Sequence, residues 1–540
     1  MIINEINPLL LTDGYKTSHH QQYPKGTTCV YSNFTARSNK YAPKGCEEIV
    51  SFGQQMVFMQ IHEMFEKNFF SKPKNEVCEE IKKELSMYLE TEYNVSHFEQ
   101  LHDLGFLPIQ VKSIEEGALL PFKIPVLTIR NTHKDFYWIT NYLETIISNL
   151  LWKPITSATI AYRFRKLIQS WNEKTDKSNI SFTDFQAHDF SMRGLDSVGA
   201  VISSGLGHLT SFYGTDSLPV IYGARKYYRE KDFICSSVPA TEHSVMCAGG
   251  KYDERKTFKR LLQTYPNGIL SIVSDTWDLW NVLTNILPSL KEDILARDGK
   301  VVIRPDSGNP VDILCGTTDY KNIIIDLFHG HAMTRLGVLP TDMTWDLFGK
   351  TTFESKEEAI ELCNLHMRTP QEKGVIELLW ETFGGHVNEQ GYKVLNSHIG
   401  AIYGDSITPE VAEQICSRLE KKGFATTNVV FGIGSYTYQY NTRDTFGFAT
   451  KATYVSIDGL GREIFKDPIT DDGIKKSAKG LLSVQEKNGK IELIDSVDWK
   501  TENTGLLKTI YEDGVFYNQT TLDKIRKKLK NQKTFHVENK

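Results

Sequence analysis

The sequence has no pair of cysteines at metal-ligand spacing. Its eight cysteines, at 29, 46, 78, 235, 247, 315, 363 and 416, are scattered without a CxxC. That pattern suits reduced thiols, not a disulfide frame or a zinc site. No apolar run reaches membrane-spanning length, and Met1-Ile2-Ile3-Asn4-Glu5 lacks the basic region of a secretory signal. The expectation is therefore a cytoplasmic protein with no membrane partner. An excess of basic charge is missing too. The net charge is −5, which argues against a general nucleic-acid coat. The one basic run, Lys524 to Lys530, reads as a solvated helix face. There is no internal repeat, no low-complexity linker and no HExxH, and His329-Gly330-His331 falls on no readable strand.

What is present is 540 residues of ordinary globular composition, 40% hydrophobic and 24% charged. A chain of this length buries a large core and divides into two or more domains. Val30–Phe34 and Leu107–Val111 read as strands, as do pieces of Ala118–Ile129. Met56–Phe69 and Phe136–Trp152 read as apolar helices. After about residue 185 the rhythm becomes regular. Gly268–Asp275, Lys300–Asp306 and Ile399–Asp405 are apolar strands that each end on an acid, and Asn428–Gly434 is a fourth. Helical spacing follows at Trp277–Leu287. After Asp405, Thr408 reads as a cap, Pro409 as the first turn and Gly423 as a stop. Apolar strands alternating with helices indicate a parallel sheet covered by helices. Acids placed just past strand ends suit a β/α barrel, whose site forms at that face; an open doubly wound sheet is the alternative.

The expected fold is thus α/β: an irregular β/α barrel over 156–446 with an insertion at about 312–392, and a second, β-rich domain built from both chain ends. That second domain comprises 1–155, with a helical insertion at about 45–105, together with 447–540. Tyr454–Gly461 and Lys490–Ile494 are the later strands expected to join the N-terminal ones.

Several segments carry more chemistry than loops need. In Ser236-Ser237-Val238-Pro239-Ala240-Thr241-Glu242-His243-Ser244 an imidazole sits between a carboxylate and hydroxyls, past a proline that stiffens the approach. His188-Asp189-Phe190-Ser191-Met192-Arg193-Gly194 packs a base, an acid, a ring and a cation together. It suits a flat heteroaromatic ligand, or a loop salt bridge with Phe190 in the core. Asp216 reads as a hydrogen-bond acceptor for a ligand or as a turn residue. Asp275, Asp306 and Asp405 form a strand-end set able to hold sugar hydroxyls, orient His243, or meet magnesium with substrate phosphates. Gly432-Ile433-Gly434-Ser435, followed by Arg443, is either a phosphate cradle or an ordinary turn. It matches neither a dinucleotide fingerprint nor a Walker loop. Lys451 and Lys466 lie downstream. Thr12-Asp13-Gly14-Tyr15-Lys16, followed by His19, is unusually rich in functional groups for a terminus.

Taken in order, these runs resemble the nicotinamide phosphoribosyltransferase family of type II phosphoribosyltransferases. The matching segments are Thr12–Lys16, His188–Phe190, Arg193-Gly194, Gly214–Asp216, Ser237–Ala240 with Glu242–Ser244, Val273–Asp275, Ile303–Pro310, Gly404-Asp405 and Phe465–Pro468. The resemblance implies conversion of nicotinamide and 5-phosphoribosyl-1-pyrophosphate to nicotinamide mononucleotide and pyrophosphate. It also implies magnesium held mainly through pyrophosphate, ATP as co-substrate through a phosphohistidine, and a homodimer with a shared active site. Carried over by position, His243 would be the phosphorylated residue, with Asp275 orienting it and Glu242 beside it. Phe190 and the partner subunit's Tyr15 would sandwich the pyridine, and Asp216 would accept from the carboxamide. Arg193 and Arg304 would bind substrate and phosphate, and Asp306 would hold ribose hydroxyls. Asp13, Ser271, Gly404, Asp405, Gly434, Ser435 and Arg443 complete the substrate-binding set, with Arg37, Lys451 and Lys466 toward the pyrophosphate or ATP phosphates. Departures from the family pattern are Gly14 in place of a serine, Ser191-Met192 after the stacking ring, and a sparser glycine loop. Nicotinate phosphoribosyltransferase, a non-catalytic nucleotide-binding homologue and, more distantly, a metal-dependent barrel hydrolase are the competing readings.

Overall fold

Short apolar, β-branched runs after residue 185 pair with one another because each is too hydrophobic to face water on either side. The computed structural model describes residues 5–317, 369–404, 407–466 and 478–532. In chain order, the strands that build its two main sheets are β1 (Thr27–Thr35), β2 (Ile109–Ser113), β3 (Pro125–Asn131), β4 (Ala187–Asp189), β5 (Gly214–Thr215), β6 (Leu270–Val273), β7 (Val301–Arg304), β8 (Ile399–Tyr403), β9 (Val429–Ile433), β10 (Ala449–Ile457), β11 (Leu460–Glu463), β12 (Lys508–Glu512) and β13 (Val515–Phe516).

Strands β4 to β9 form one parallel sheet in the order β5-β4-β9-β8-β7-β6. Its two edges are joined by residues 236–241. Ser236 bridges Gly214 of β5 and Ala240 bridges Ser271 of β6, both in parallel. Ser236 N–H donates to Tyr213 (2.9 Å), Thr241 N–H to Ser271 O (3.0 Å) and Ser271 N–H to Pro239 O (2.9 Å). Pro239 has no N–H to give, so the closing segment cannot ladder as a regular strand. The barrel is therefore closed but irregular. Its core includes Ile272, Ile303, Ala401, Phe431 and Ile433, all nearly inaccessible. Each isoleucine and phenylalanine among them contributes about 1.5–3 kcal/mol by leaving water.

The second sheet is antiparallel, in the order β11-β10-β1-β3-β2-β12-β13, and so mixes both ends of the chain as expected. Lys490–Val497 does not join it. That strand pairs with Leu481–Lys487 as a separate hairpin. The reason is local: Asn488 and Gly489 both have positive φ (52° and 76°) and make a two-residue turn of the kind that favours hairpins.

One helix, Glu144–Thr175, serves both cores. Ile146, Ile147, Leu151 and Ile155 face the antiparallel sheet's core, and Ile160, Phe164, Leu167 and Ile168 face the barrel's. The helix runs on well past Trp152, where the sequence reading ends it, and passes through Pro154. Burial on two cores outweighs the roughly 3 kcal/mol that an interior proline costs. The helix Pro409–Lys421 is capped as its sequence indicates, Thr408 accepting from the Val411 N–H and Gly423 taking φ +74°. Most of the expected insertion, including the His-Gly-His triplet, and Asp405 lie outside the described residues. Among the described residues no helix is long and apolar enough to cross a membrane.

Candidate active site

Parallel strands that start from one end of a barrel finish at the other, so residues just past each strand meet on one rim. Phe190 follows β4, Asp216 follows β5, Glu242 and His243 follow the closing segment, Asp275 follows β6 and Asp306 follows β7. Gly404 follows β8, and Gly434 with Ser435 follows β9. Residues far apart in sequence thereby form one cluster.

Its centre is Arg304, the last residue of β7. Its Nη2 donates to Thr241 O (2.7 Å), while its buried Nε has no hydrogen-bond partner. Burial lowers the Arg304 pKa, Asp306, Asp216 and Asp275 oppose that, and Arg193 adds to it. Three carboxylates thus stand around one guanidinium, with a second close by. Asp275 Oδ2 accepts from the Asp306 N–H (2.8 Å) and from Ser307 Oγ (2.6 Å), tying the β6 and β7 ends together. Asp275 Oδ1 is buried without a hydrogen bond. A Cβ on Gly404 would lie 2.3 Å from Asp306 Oδ1, so only glycine leaves room for that carboxylate.

His243 opens the short helix His243–Ala248. Its Nδ1 lies 3.1 Å from Thr276 Oγ1 and its Nε2 3.8 Å from Asp306 Oδ2. The groups nearest its ring nitrogens are therefore Thr276 and Asp306; among the described residues no hydrogen bond joins it to Asp275, the partner expected from the sequence. Asp275 has its shared oxygen committed to the β7 loop. Glu242 accepts from Ser244 and faces solvent.

Beside the closing segment, Asp216 Oδ1 takes hydrogen bonds from His188 Nε2 (2.8 Å) and Ser237 Oγ. Burial raises the Asp216 pKa, but donation by His188 and Ser237 and the charge of Arg304 hold it below the usual carboxylate range. Phe190 packs its ring against His188, centroids 4.5 Å apart, and its N–H is fixed by Ile433 O (2.9 Å). Beneath them, buried Asp189 accepts from Ser191 Oγ (2.6 Å) and Thr215 Oγ1 (2.9 Å). His208 is held by Tyr438 Oη (2.8 Å) and Gly214 O (3.0 Å), and burial lowers its pKa to about 4. Ser271, inside β6, has a buried hydroxyl with no partner. Arg193-Gly194 turns against Ser435: a Cβ on Gly194 would fall 2.2 Å from Ser435 Oγ. Gly432 serves strand packing, since a Cβ there would meet Tyr403 O at 2.4 Å.

A second cluster forms on the antiparallel sheet. Lys451 of β10 lies opposite Asn33 of β1, and Arg37 Nε donates to Gly447 O (2.7 Å). Desolvation lowers the Lys451 pKa, Glu144 opposes this, and Arg37, Lys466 and Arg443 lower it further. The four cations named from sequence are thus neighbours. Glu144 also bonds Lys16 (2.6 Å), whose ammonium stands 5.3 Å from the Tyr15 ring centroid. Asp13 Oδ2 accepts from Thr145 Oγ1 (2.7 Å). Tyr15, 63% exposed, therefore belongs with this cluster and not with Phe190 in the same chain. A Cβ on Gly14 would fall 2.3 Å from Oη of the exposed Tyr88 side chain.

Thr276, Ser307, Ser237 and His188 were not singled out from the sequence as partners of the key acids and His243. Thr276 and Ser307 adjoin Asp275 and Asp306, Ser237 lies in the His243 motif and His188 opens the Phe190 motif; these neighbourhoods are the only sequence signal of the pairings.

Comparison with known proteins completes the picture. The nicotinate phosphoribosyltransferase (NAPRTase) family model matches residues 185–533, and the nicotinamide phosphoribosyltransferase N-terminal domain matches residues 7–111. The chain is 44% identical over 539 residues to an Acinetobacter baylyi protein named nicotinamide phosphoribosyltransferase, covering 98% of each. A Mycoplasma pneumoniae protein of the same name is 34% identical, covering 87% of this chain and 94% of the relative. Among solved structures, human nicotinic acid phosphoribosyltransferase shares the fold at a TM-score of 0.51 and 14% identity, covering 96% of this chain and 93% of that one.

Proposed function

The chain belongs to the nicotinate phosphoribosyltransferase family, and on that footing we propose that it is a nicotinamide phosphoribosyltransferase. It joins nicotinamide to 5-phosphoribosyl-1-pyrophosphate, yielding nicotinamide mononucleotide and pyrophosphate, and acts in cytoplasmic NAD salvage. The observation that carries the choice of amide over acid is Asp216, an ionised carboxylate beside the Phe190 segment at the rim. A nicotinate carboxylate about 4 Å from it would be repelled by up to about 4 kcal/mol at an effective dielectric near 20, and by less while solvent reaches the site. A carboxamide N–H instead gains a charge-assisted hydrogen bond.

In this reading Phe190 supplies one stacking face and Tyr15 of the partner subunit the other. Asp306 holds the ribose hydroxyls, Arg193 and Arg304 bind substrate and phosphate, and Gly404, Asp405, Gly434, Ser435 and Arg443 line the ribose-phosphate end. Arg37, Lys451 and Lys466 receive the pyrophosphate or the ATP phosphates. Breaking the bond from ribose C1 to pyrophosphate builds positive charge on the ribose and negative charge on the leaving group. Catalysis is therefore chiefly positioning and charge neutralisation. Among the described residues no group of three or more His, Cys, Asp or Glu could hold a metal ion. Asp275 and Asp306 as one or two carboxylates fit magnesium carried on substrate phosphates. When bound there, it neutralises charge on the leaving group. His243, exposed at the mouth with Thr276 on Nδ1, accepts a phosphoryl group from ATP, releasing ADP.

Pyrophosphate release from nicotinamide, measured against nicotinate, tests the assignment. The wild type should prefer nicotinamide, and Asp216→Asn should shift preference toward the acid; unchanged discrimination in the variant would end the role given to Asp216. His243→Ala should retain weak ATP-independent turnover while losing ATP stimulation and the acid-labile phosphoenzyme.

A further inference from the structure

Asp216 is usable by a ligand only if its carboxylate is turned the right way, and the structure shows what turns it. Both donors, His188 Nε2 at 2.8 Å and Ser237 Oγ, converge on the same oxygen, Oδ1. Among the described residues no hydrogen bond within the chain reaches Oδ2. An ionised carboxylate only accepts, so the imidazole must carry its proton on Nε2. The ring itself is fixed. It lies against Phe190, centroids 4.5 Å apart, and is largely buried, with 13% of its side chain exposed. It also passes over Gly214, where a Cβ would stand 2.7 Å from Nδ1. Ser237 comes from the segment that closes the barrel, so its hydroxyl reaches Asp216 only because Ser236 bridges β5.

We propose that His188 and Ser237 are positioning residues for substrate choice: they occupy Oδ1 of Asp216 and so present Oδ2 to the carboxamide of nicotinamide. This rests on the reading of the site as a nicotinamide pocket. Neither residue touches the reacting carbon. Their loss therefore weakens nicotinamide binding and selectivity while leaving the chemical step in place.

The test is steady-state kinetics on the full-length protein with both pyridines. His188→Ala should raise the KM for nicotinamide by roughly ten- to a hundredfold, the span of one or two hydrogen bonds to a charged group. It should change kcat little and narrow the preference over nicotinate. His188→Gln places an amide N–H where Nε2 stands and should restore most of the loss, whereas His188→Asn, which mimics Nδ1, should not. Gly214→Ala, whose Cβ would displace the His188 ring while leaving both Asp216 and His188 chemically intact, should reproduce His188→Ala. In an Asp216→Asn background His188→Ala should add little, because both act through one group. A full additional KM penalty in that background, or unmoved KM and selectivity in both His188→Ala and Ser237→Ala, overturns the inference while the function stands. A wild-type protein with no turnover of nicotinamide overturns the reading of the pocket, and this inference with it.

Discussion

The barrel rim and the basic face of the antiparallel sheet hold charge in opposite ways. At the rim, Arg304 is surrounded by Asp216, Asp275 and Asp306, and Asp275 and Asp216 are bound to backbone N–H, hydroxyl and imidazole donors. Such a set is already arranged before substrate arrives, which is how fixed dipoles lower a barrier without reorganising. On the sheet, Arg37, Arg443, Lys451 and Lys466 crowd one another, with Glu144 opposing them at Lys451. That cluster is electrostatically incomplete and becomes favourable when an anion enters. The leading charged neighbours of Arg304 and those of Lys451 do not overlap. The contrast separates a charge-paired centre at the rim from an excess of positive charge on the sheet, in keeping with the ring-and-ribose and phosphate roles proposed for them.

The strongest way to break this contrast is Arg304→Ala. It leaves three rim carboxylates without their shared cation, and kcat/KM should fall about a thousandfold or more, comparable to loss of an oxyanion donor. A loss below tenfold would mean that the rim is not the catalytic centre. If the clusters complete each other across a homodimer, mixing Arg304→Ala with Lys451→Ala subunits should give, at low phosphoribosyl pyrophosphate, more activity than either variant alone. Failure to complement, with both variants folded, would place a whole site in one chain. Lys451→Ala by itself should raise the KM for phosphoribosyl pyrophosphate about ten- to a hundredfold, leave that for nicotinamide little changed, and reduce the salt dependence of binding.

The smallest effect compares stability beneath each cluster. Burial lowers His208 to about 4 under the rim and His97 to about 3 behind the segment that carries Tyr15, where His97 stacks on His20 at 3.9 Å. Both prefer to be neutral when folded. Their cost is absent above the unfolded pKa near 6.5 and grows as pH falls below it. At pH 5 each should subtract about 2 kcal/mol from folding stability. Denaturant melts between pH 7.5 and 5 measure this, and His97→Phe should remove its share.

Much of the rim was legible in the sequence. An apolar run that ends on an acid reports both the strand and where its last side chain emerges, and three such runs named Asp275, Asp306 and Asp405, the last outside the described residues. The stop signals were less trustworthy. Pro154 sits inside a helix because two cores hold it there, which no local pattern encodes. The Asn488-Gly489 turn makes Lys490–Val497 a local hairpin strand, whereas its strand character alone points equally to the larger sheet.

The sequence by itself determined which chemical groups the protein has and which strand each one follows, since apolar periodicity and motif order are local properties. Tertiary structure decided how those groups are spent. Asp275 ties the β6 and β7 loops together, while Thr276 and Asp306 lie nearest the ring nitrogens of His243. Arg37 meets Lys451 only because β1 pairs with β10 across more than four hundred residues. Hydrogen-bond partners and like-charge neighbours depend on distances between remote segments, and packing alone sets those distances.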